Sequence, residues 1–476
     1  METETRFDFT ANIEGALKDT QLRRNLRNAM DILVDKRRAV FPDPAELDQL
    51  RAAGNAIKRR ALKRLPQLLA QLEANCTKNG ISVHWAEDTD QANGIVLDIL
   101  KRHDAREVVK GKSMVSEEMH LNRFLAGHGI EALETDLGEF IIQLNGETPS
   151  HIIVPAIHKN KDEVAAIFHD KIPDTPYTEN VEALTAIARR GLRRRFARAR
   201  VGLSGVNFAI AETGTLLLVE NEGNGRMCTT APDVHVAVMG LEKVIQRLSD
   251  VPPLLRLLTG SATGQAITTY VNMIPSPRKK GEKDGPKEVH LVILDNGRSR
   301  ILADPQLRQT LLCIRCGTCL NHCPVYVRIG GHAYGHVYPG PIGKILTPQM
   351  EGLERTGALV TASSLCGACG EVCPVKIPIP DLIRRLRNES YDQEKAAVVP
   401  GGGYKKNLAE TMVWKGWELA NRLPVLNEMG TRMAGAMGRH LPKVGPLKQW
   451  TSVRTTPRVA RSSLHERVRN EGVSHE

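Results

Sequence analysis

One stretch constrains this chain more than any other: Cys313-Ile314-Arg315-Cys316-Gly317-Thr318-Cys319-Leu320-Asn321-His322-Cys323-Pro324. Its spacing, C-x2-C-x2-C-x3-C-P, gives three thiolates to one iron–sulfur cube and turns a fourth toward a second cube. Downstream, Cys366-Gly367-Ala368-Cys369-Gly370-Glu371-Val372-Cys373-Pro374 repeats the C-x2-C-x3-C-P half. Three corners of a cube must come from one tight loop, and Gly317 and Gly367 let the backbone approach without a Cβ clash. The crossed rule assigns Cys313, Cys316, Cys319 and Cys373 to cluster 1, and Cys323, Cys366 and Cys369 to cluster 2.

Cluster 2 is therefore one thiolate short. A complete second run would open with cysteine at position 363, where Ser363 stands. Either cluster 2 is a [3Fe-4S] form, or its fourth iron is held by water, Ser363, His322 or a cysteine from elsewhere. The expectation adopted is two [4Fe-4S] clusters, the second with an irregular or open corner. The rival is a pair of tetrahedral zinc sites, which do not need four cysteines in one run closed by proline.

The remaining composition narrows the class. A chain of 476 residues exceeds the usual size of one domain. Its net charge of +11 and pI near 9.2 suit acidic redox partners or an anionic membrane face. Nucleic acid ranks last, because aromatic residues are only 4% and no nucleic-acid motif is present. Only Cys76 and Cys228 lie outside the two runs, which argues for a reducing compartment rather than a disulfide scaffold. Residues 1–10 lack the apolar segment of a signal peptide, and no later run is apolar enough for a transmembrane segment. The expected location is cytoplasmic, with peripheral attachment to the inner face of the membrane left open.

Taken in order, residues 1–78 read as an N-terminal region of two or three amphipathic helices, with Asp43-Pro44 as a helix start. Residues 79–298 alternate strands with helices, the pattern of an α/β domain with a parallel or mixed sheet. Strands are expected at 81–85, 107–110, 131–135, 151–154, 207–211, 215–220, 235–239, 266–273 and 288–294. Two loops stand out as ligand candidates: Lys110-Gly111-Lys112-Ser113-Met114, which suits an anion at a helix N-terminus, and Glu212-Thr213-Gly214-Thr215 leading to Glu220 through Arg226. The bland reading of both is turn glycines and solvated carboxylates. The arginine-rich helix 179–200 reads as a solvated face or a docking surface for an acidic partner.

Residues 299–395 form the cluster module. About forty residues separate its cysteine runs, too many for two ferredoxin hairpins, so the module is expected to be α-helical, with helices at 347–353, toward Ala362 and after Ile379. His332, Tyr334, His336 and Tyr338 are candidates for tuning or covering a cluster. After a Pro400-Gly401-Gly402-Gly403 linker, residues 400–476 read as a helical C-terminal region with a basic, frayed tail. Trp414, Trp417, Met429, Met433 and Met437 fall at helical spacing there, as core positions do.

Several of these segments occur together in one known family. Ala211-Glu212-Thr213-Gly214-Thr215, the run Cys313 to Pro324, Gly330-Gly331-His332-Ala333-Tyr334-Gly335, Tyr338-Pro339-Gly340-Pro341-Ile342-Gly343 and Ser363-Ser364-Leu365-Cys366-Gly367-Ala368-Cys369 give the chain its resemblance to the lactate utilization protein B family. The resemblance covers nearly the whole chain. It implies electron transfer in oxidation of L-lactate to pyruvate, alongside one cysteine-rich companion and one sharing the α/β (LUD) domain. It further implies a Rossmann-like LUD sheet, similar to sugar-phosphate isomerases and coenzyme A transferases, and a helical two-cluster module like those of quinone-linked reductases. The same seven cysteines are implied as ligands, with only three in the second motif. Electrons would leave to a quinone, another membrane acceptor or a partner. Two alternatives remain: a catalytic subunit binding the 2-hydroxy acid through Glu212, Thr215 or Lys112, and a redox-sensing regulator.

Overall fold

The computed structural model describes residues 9–391, 408–437, 448, 460 and 462–472. Two compact units are present, residues 1–403 and 404–476. The glycine linker at 400–403, residues 454–459, 461 and 473–476 of the tail and the Met437 side chain lie outside the described residues, whereas Leu464–Glu471, expected as part of a frayed tail, is a helix capped by the Ser463 hydroxyl.

Four N-terminal helices open the first unit, Phe9–Lys18, Thr20–Val40, Pro44–Lys63 and Leu65–Lys78, where two or three were expected. The third starts as its sequence requires. Asp43 accepts a hydrogen bond from the Ala45 N–H at 2.8 Å, and Pro44 occupies the first turn, where its missing N–H costs nothing.

Ten strands follow: β1 (Ile81–Ala86), β2 (Glu107–Lys110), β3 (Glu131–Glu134), β4 (Val201–Gly205), β5 (Phe208–Ile210), β6 (Thr215–Glu220), β7 (Val234–Gly240), β8 (Val244–Ile245), β9 (Tyr270–Ile274) and β10 (Glu288–Leu294). The main sheet has the order β1-β10-β7-β4-β2-β3 and every pairing in it is parallel. A second, mixed sheet runs β8-β5-β6-β9. Helices cover both faces of the parallel sheet, so β4 and β7 are buried along their whole length. This α/β layer with helices before and after it is the architecture the alternation implied.

Departures from expectation have local causes. The segment 151–154 is a turn: the Ile153 and Val154 N–H groups donate to the His151 ring, leaving none for a ladder. The 266–273 strand begins only at Tyr270. Strand β4 went unrecognised because two glycines interrupt its apolar pattern, and β8 because it has only two residues. Gly202 is dictated by packing, since a Cβ there would meet the Cys228 carbonyl oxygen at 1.9 Å.

The cluster module is helical, as expected from its spacing. A helix over Gly340–Glu351, earlier in its start than 347, is followed by Leu353–Thr361 and Ile379–Tyr391. In the second unit, helices Leu408–Arg422 and Pro424–Met437 are present. Trp414, Trp417, Met429 and Met433 are exposed there, contrary to their reading as core. A pair of helices has one mutual face and cannot enclose every apolar position its spacing generates.

Gly202→Ala is expected to destabilise the protein by about 1–3 kcal/mol, because the obstructing atom is backbone and cannot swing aside. Denaturant unfolding measures this, and an unchanged midpoint contradicts the packing argument.

Candidate metal centre

The two cysteine runs fold as the same loop twice. In the first, Arg315 and Gly317 have φ of +61° and +74°, and a short helix, Thr318–Asn321, follows. In the second, Leu365 and Gly367 have φ of +54° and +86°, followed by Ala368–Glu371. Left-handed backbone at both positions of each loop wraps the chain around a central space. The equivalence extends to side chains: the Arg315 N–H donates to Cys313 Sγ at 3.4 Å, and the Leu365 N–H donates to Ser363 Oγ at 3.1 Å. Ser363 therefore occupies in the second loop the place that Cys313 holds in the first.

Two cavities result. One is walled by Cys313, Cys316, Cys319 and, from the second run, Cys373. The other is walled by Cys366 and Cys369, by Cys323 from the first run, and by Ser363 and His322. The structure thus gathers the seven cysteines into the groups that the crossed rule names. Around the first cavity Cys316, Cys319 and Cys373 are buried, whereas Cys366 at the second is exposed.

The donor set fits a cluster better than zinc. Among the described residues, which include every cysteine, no three of these sulfurs lie within 4.8 Å of one another. Tetrahedral zinc with bonds of about 2.3 Å would draw its sulfurs to about 3.8 Å. Backbone amides also reach the bridging thiols: Ile377 N–H donates to Cys373 Sγ at 3.3 Å, and Tyr326 N–H to Cys323 Sγ at 3.5 Å. Burial pushes the Cys373 thiol up to about 11 and Cys369 up to about 12, so deprotonation requires a cation beside them.

Arg51 lies near Cys373 and Lys344 near Cys369, and beside Cys313 cations are placed by an ion network that joins the first loop to the α/β sheet. Arg298, fully buried, donates to Glu118 at 2.8 Å and to Glu242 at 2.6 Å. Glu242 also receives Arg315 at 3.1 Å, and its backbone carbonyl receives Lys58 Nζ at 2.5 Å. The Tyr338 hydroxyl donates to Glu118 at 2.7 Å, and the Arg315 guanidinium lies 4.9 Å from the Tyr338 ring. Burial alone would raise the Glu242 carboxyl, but Arg298 and Arg315 hold it at about 2. With buried Lys243, four basic groups face two carboxylates beside Cys313; burial lowers Lys58 and Lys243 to about 8, and thiolate at Cys313 favours their charged forms. At the second cavity, buried Lys344 lies 3.8 Å from Cys323 Sγ and 5.5 Å from the Tyr334 ring.

The N-terminal helices close the site from the other side. Arg51 donates to the Cys373 carbonyl at 2.9 Å and to the Gly370 carbonyl at 3.3 Å, and Asn55 to the Val375 carbonyl at 2.6 Å. Of the residues expected to cover a cluster, Tyr338 and Tyr334 are buried at the loops, whereas His332 binds the Thr148 carbonyl and His336 pairs with Glu351.

The ligand candidates of the α/β domain have other partners. Lys110 is buried between Glu117 and Glu134, Lys112 donates to the Ile153 carbonyl, and Ser113 caps its own five-residue helix. Glu212 accepts from Leu248, Thr215 from Thr213, and Glu220 from Gly225 and Arg226. The strand-turn Ala211 to Gly214 is a clasp, its carbonyls receiving Asn75 and Asn79. Arg195 bridges Glu107 and Glu131, while its neighbours in the arginine run are mostly exposed. Sequence reading missed Glu118, Glu242, Arg298 and Lys58. The visible signal was Glu242 standing between the apolar runs of β7 and β8.

These features define a class: an α/β protein carrying a helical module with two crossed cysteine cavities. Comparison with known proteins matches three segments of the chain to family models. The LUD domain matches residues 69–294, the 4Fe-4S dicluster domain 309–377, and the C-terminal domain of lactate utilisation protein B 385–473. Lactate utilization protein B of Bacillus licheniformis is 38% identical over 466 residues, covering 96% of this chain and 95% of that protein. The Shouchella clausii protein of the same name is 39% identical over 466 residues, covering 96% of each. The chain belongs to the lactate utilization protein B family. A crystal structure of a DUF162 family protein from Deinococcus radiodurans aligns with 48% of this chain and 98% of its own at 15% identity, but a TM-score of 0.28 carries no weight.

Arg298→Met leaves two buried carboxylates without their shared cation and is expected to cost about 3–5 kcal/mol by denaturant unfolding. The sign of the pH effect follows from the lowered Glu242 pKa. Its contribution is complete above the ordinary carboxylate range near 4.5 and is lost as pH falls toward about 2. Unfolding midpoints flat across that window contradict the assignment.

Proposed function

We propose that this chain is an iron–sulfur electron-transfer protein of lactate utilization, acting in oxidation of L-lactate to pyruvate. The observation that carries this reading is the pair of crossed thiol cavities at different depths, one buried against the α/β domain and one opening to solvent at Cys366. Cys313, Cys316, Cys319 and Cys373 would hold the inner cluster, and Cys323, Cys366 and Cys369 the outer one. When bound, such clusters accept and release single electrons. Oxidation of lactate releases two electrons and two protons, so two one-electron centres match one turnover.

The protein's residues set the conditions for that transfer. Arg315, Lys58 and Lys243 offset thiolate charge at the inner cavity and favour the more negative, reduced state. Lys344 does the same at the outer one. The N-terminal helices exclude water from the inner site, and the exposed lip at Cys366 leaves the outer site accessible to a partner. Companion proteins of the lactate utilization system are the expected source and destination of electrons. The acceptor reached through them is a quinone or another carrier. Among the described residues no helix is long and apolar enough to cross a membrane.

Ser363 completes the outer cavity in our reading, because its hydroxyl repeats the position and backbone contact of Cys313. His322, whose Nδ1 faces the Thr318 carbonyl at 3.0 Å, is the competing ligand. Catalysis by this chain alone has less support, since Lys112, Glu212 and Thr215 are engaged in separate contacts.

Anaerobic protein mixed with L-lactate should keep its visible absorption until the companion proteins are added, and then bleach. Bleaching by lactate alone would make this chain the catalytic subunit. Variants test the assignment: Cys373→Ser should perturb the paramagnetic signal of the inner cluster and spare the outer, while Ser363→Cys should shift only the outer signal. Loss of the outer signal alone in Cys373→Ser contradicts the crossed arrangement, and an unchanged outer signal in Ser363→Cys removes Ser363 as ligand.

A further inference from the structure

A second metal-binding constellation lies in the α/β domain, in a group that the cysteine chemistry does not use. His103 follows the helix Thr89–Arg102, and Glu288 and His290 open β10. One ligand atom from each of the three lies within 4.8 Å of the other two, and this is the one such trio among the described residues. His103 Nε2 is 3.3 Å from Glu288 Oε2, and His290 Nε2 is 3.4 Å from the same oxygen.

Those separations carry the argument. Tetrahedral zinc holds imidazole nitrogen at about 2.0–2.1 Å and carboxylate oxygen at about 2.0–2.2 Å, which sets neighbouring ligand atoms about 3.3–3.5 Å apart. The same spacing makes a poor hydrogen bond. His290 Nε2 is buried and has no hydrogen-bond partner, although a carboxylate oxygen stands 3.4 Å away.

The other side of the His290 ring supplies an independent observation. His84, on β1, places Nε2 at 3.1 Å from His290 Nδ1. If His290 donates its Nδ1–H to His84, its Nε2 lone pair points at His103 and Glu288 and waits for a cation. The opposite tautomer aims a buried Nε2–H at Glu288 Oε2 across 3.4 Å, a long and poorly directed hydrogen bond. Metal-bound histidines characteristically donate their other ring N–H to a partner that fixes the tautomer, and His84 is placed for that role.

We infer that His103, Glu288 and His290 bind a zinc-class divalent cation, with His84 as the positioning residue behind His290. Two imidazoles and one carboxylate suit zinc, and the half-exposed Glu288 leaves the fourth position to water. The ion would tie the end of helix Thr89–Arg102 to the start of β10, pinning the β1 edge of the parallel sheet. This inference stands apart from the electron-transfer reading and concerns different residues.

The test uses anaerobically purified protein with its clusters intact, so that cysteines are not available to zinc. Iron, sulfide and zinc are counted in the same sample after dialysis against buffered zinc. About one zinc per chain is expected, with an X-ray absorption spectrum showing nitrogen and oxygen neighbours and no sulfur, and with a higher unfolding temperature than the zinc-free protein. Glu288→Gln, at a half-exposed position that does not threaten folding, should bind zinc at least about tenfold more weakly with iron and sulfide unchanged. His84→Ala should weaken binding by about 10–100-fold. Absence of zinc, zinc bound through sulfur, or equal affinity in wild type and Glu288→Gln overturns the site and leaves a hydrogen-bonded His–Glu cluster.

Discussion

Each cysteine run lends one thiol to the other's cavity, and the rest of the first unit is arranged to keep that exchange in place. Cys373 must reach back to the first loop while Cys323 reaches forward to the second, so neither cavity is complete until both loops are folded against each other. The left-handed residues Arg315, Gly317, Leu365 and Gly367 give the two loops their common curvature. Helices Gly340–Glu351 and Ile379–Tyr391 then hold them at a fixed separation.

The second constraint is charge. A buried set of thiolates is tolerable only beside fixed positive charge, and here the cations come from three distant parts of the sequence: Lys58 on an N-terminal helix, Lys243 and Arg298 from the α/β domain, and Arg315 from the loop itself. Glu118 and Glu242 keep those cations from repelling one another. The network thereby makes the sheet and the cysteine module one electrostatic unit.

Legibility in the sequence followed how local each constraint was. The cysteine groups were readable because spacing within a loop determines which thiols face one space, and the proline after Cys323 and Cys373 marked the crossing residues. Parallel strands such as β7 and β10 were readable as apolar runs. The Glu242 network was not, because its members lie up to 257 positions apart, from Lys58 to Arg315, and only the fold brings them together. The turn at His151 was hidden for a related reason: a side-chain ring takes the amides that a strand would have used. The C-terminal tryptophans misled in the opposite direction, since their periodicity is helical whether or not anything covers them.

The count of iron and acid-labile sulfide in anaerobically isolated protein tests the central claim most directly. The account predicts about eight of each per chain, or about seven iron if the outer corner is vacant, with the content falling sharply when Cys313 is replaced. Protein that instead holds zinc at the cysteine loops, with neither iron nor sulfide, would contradict it.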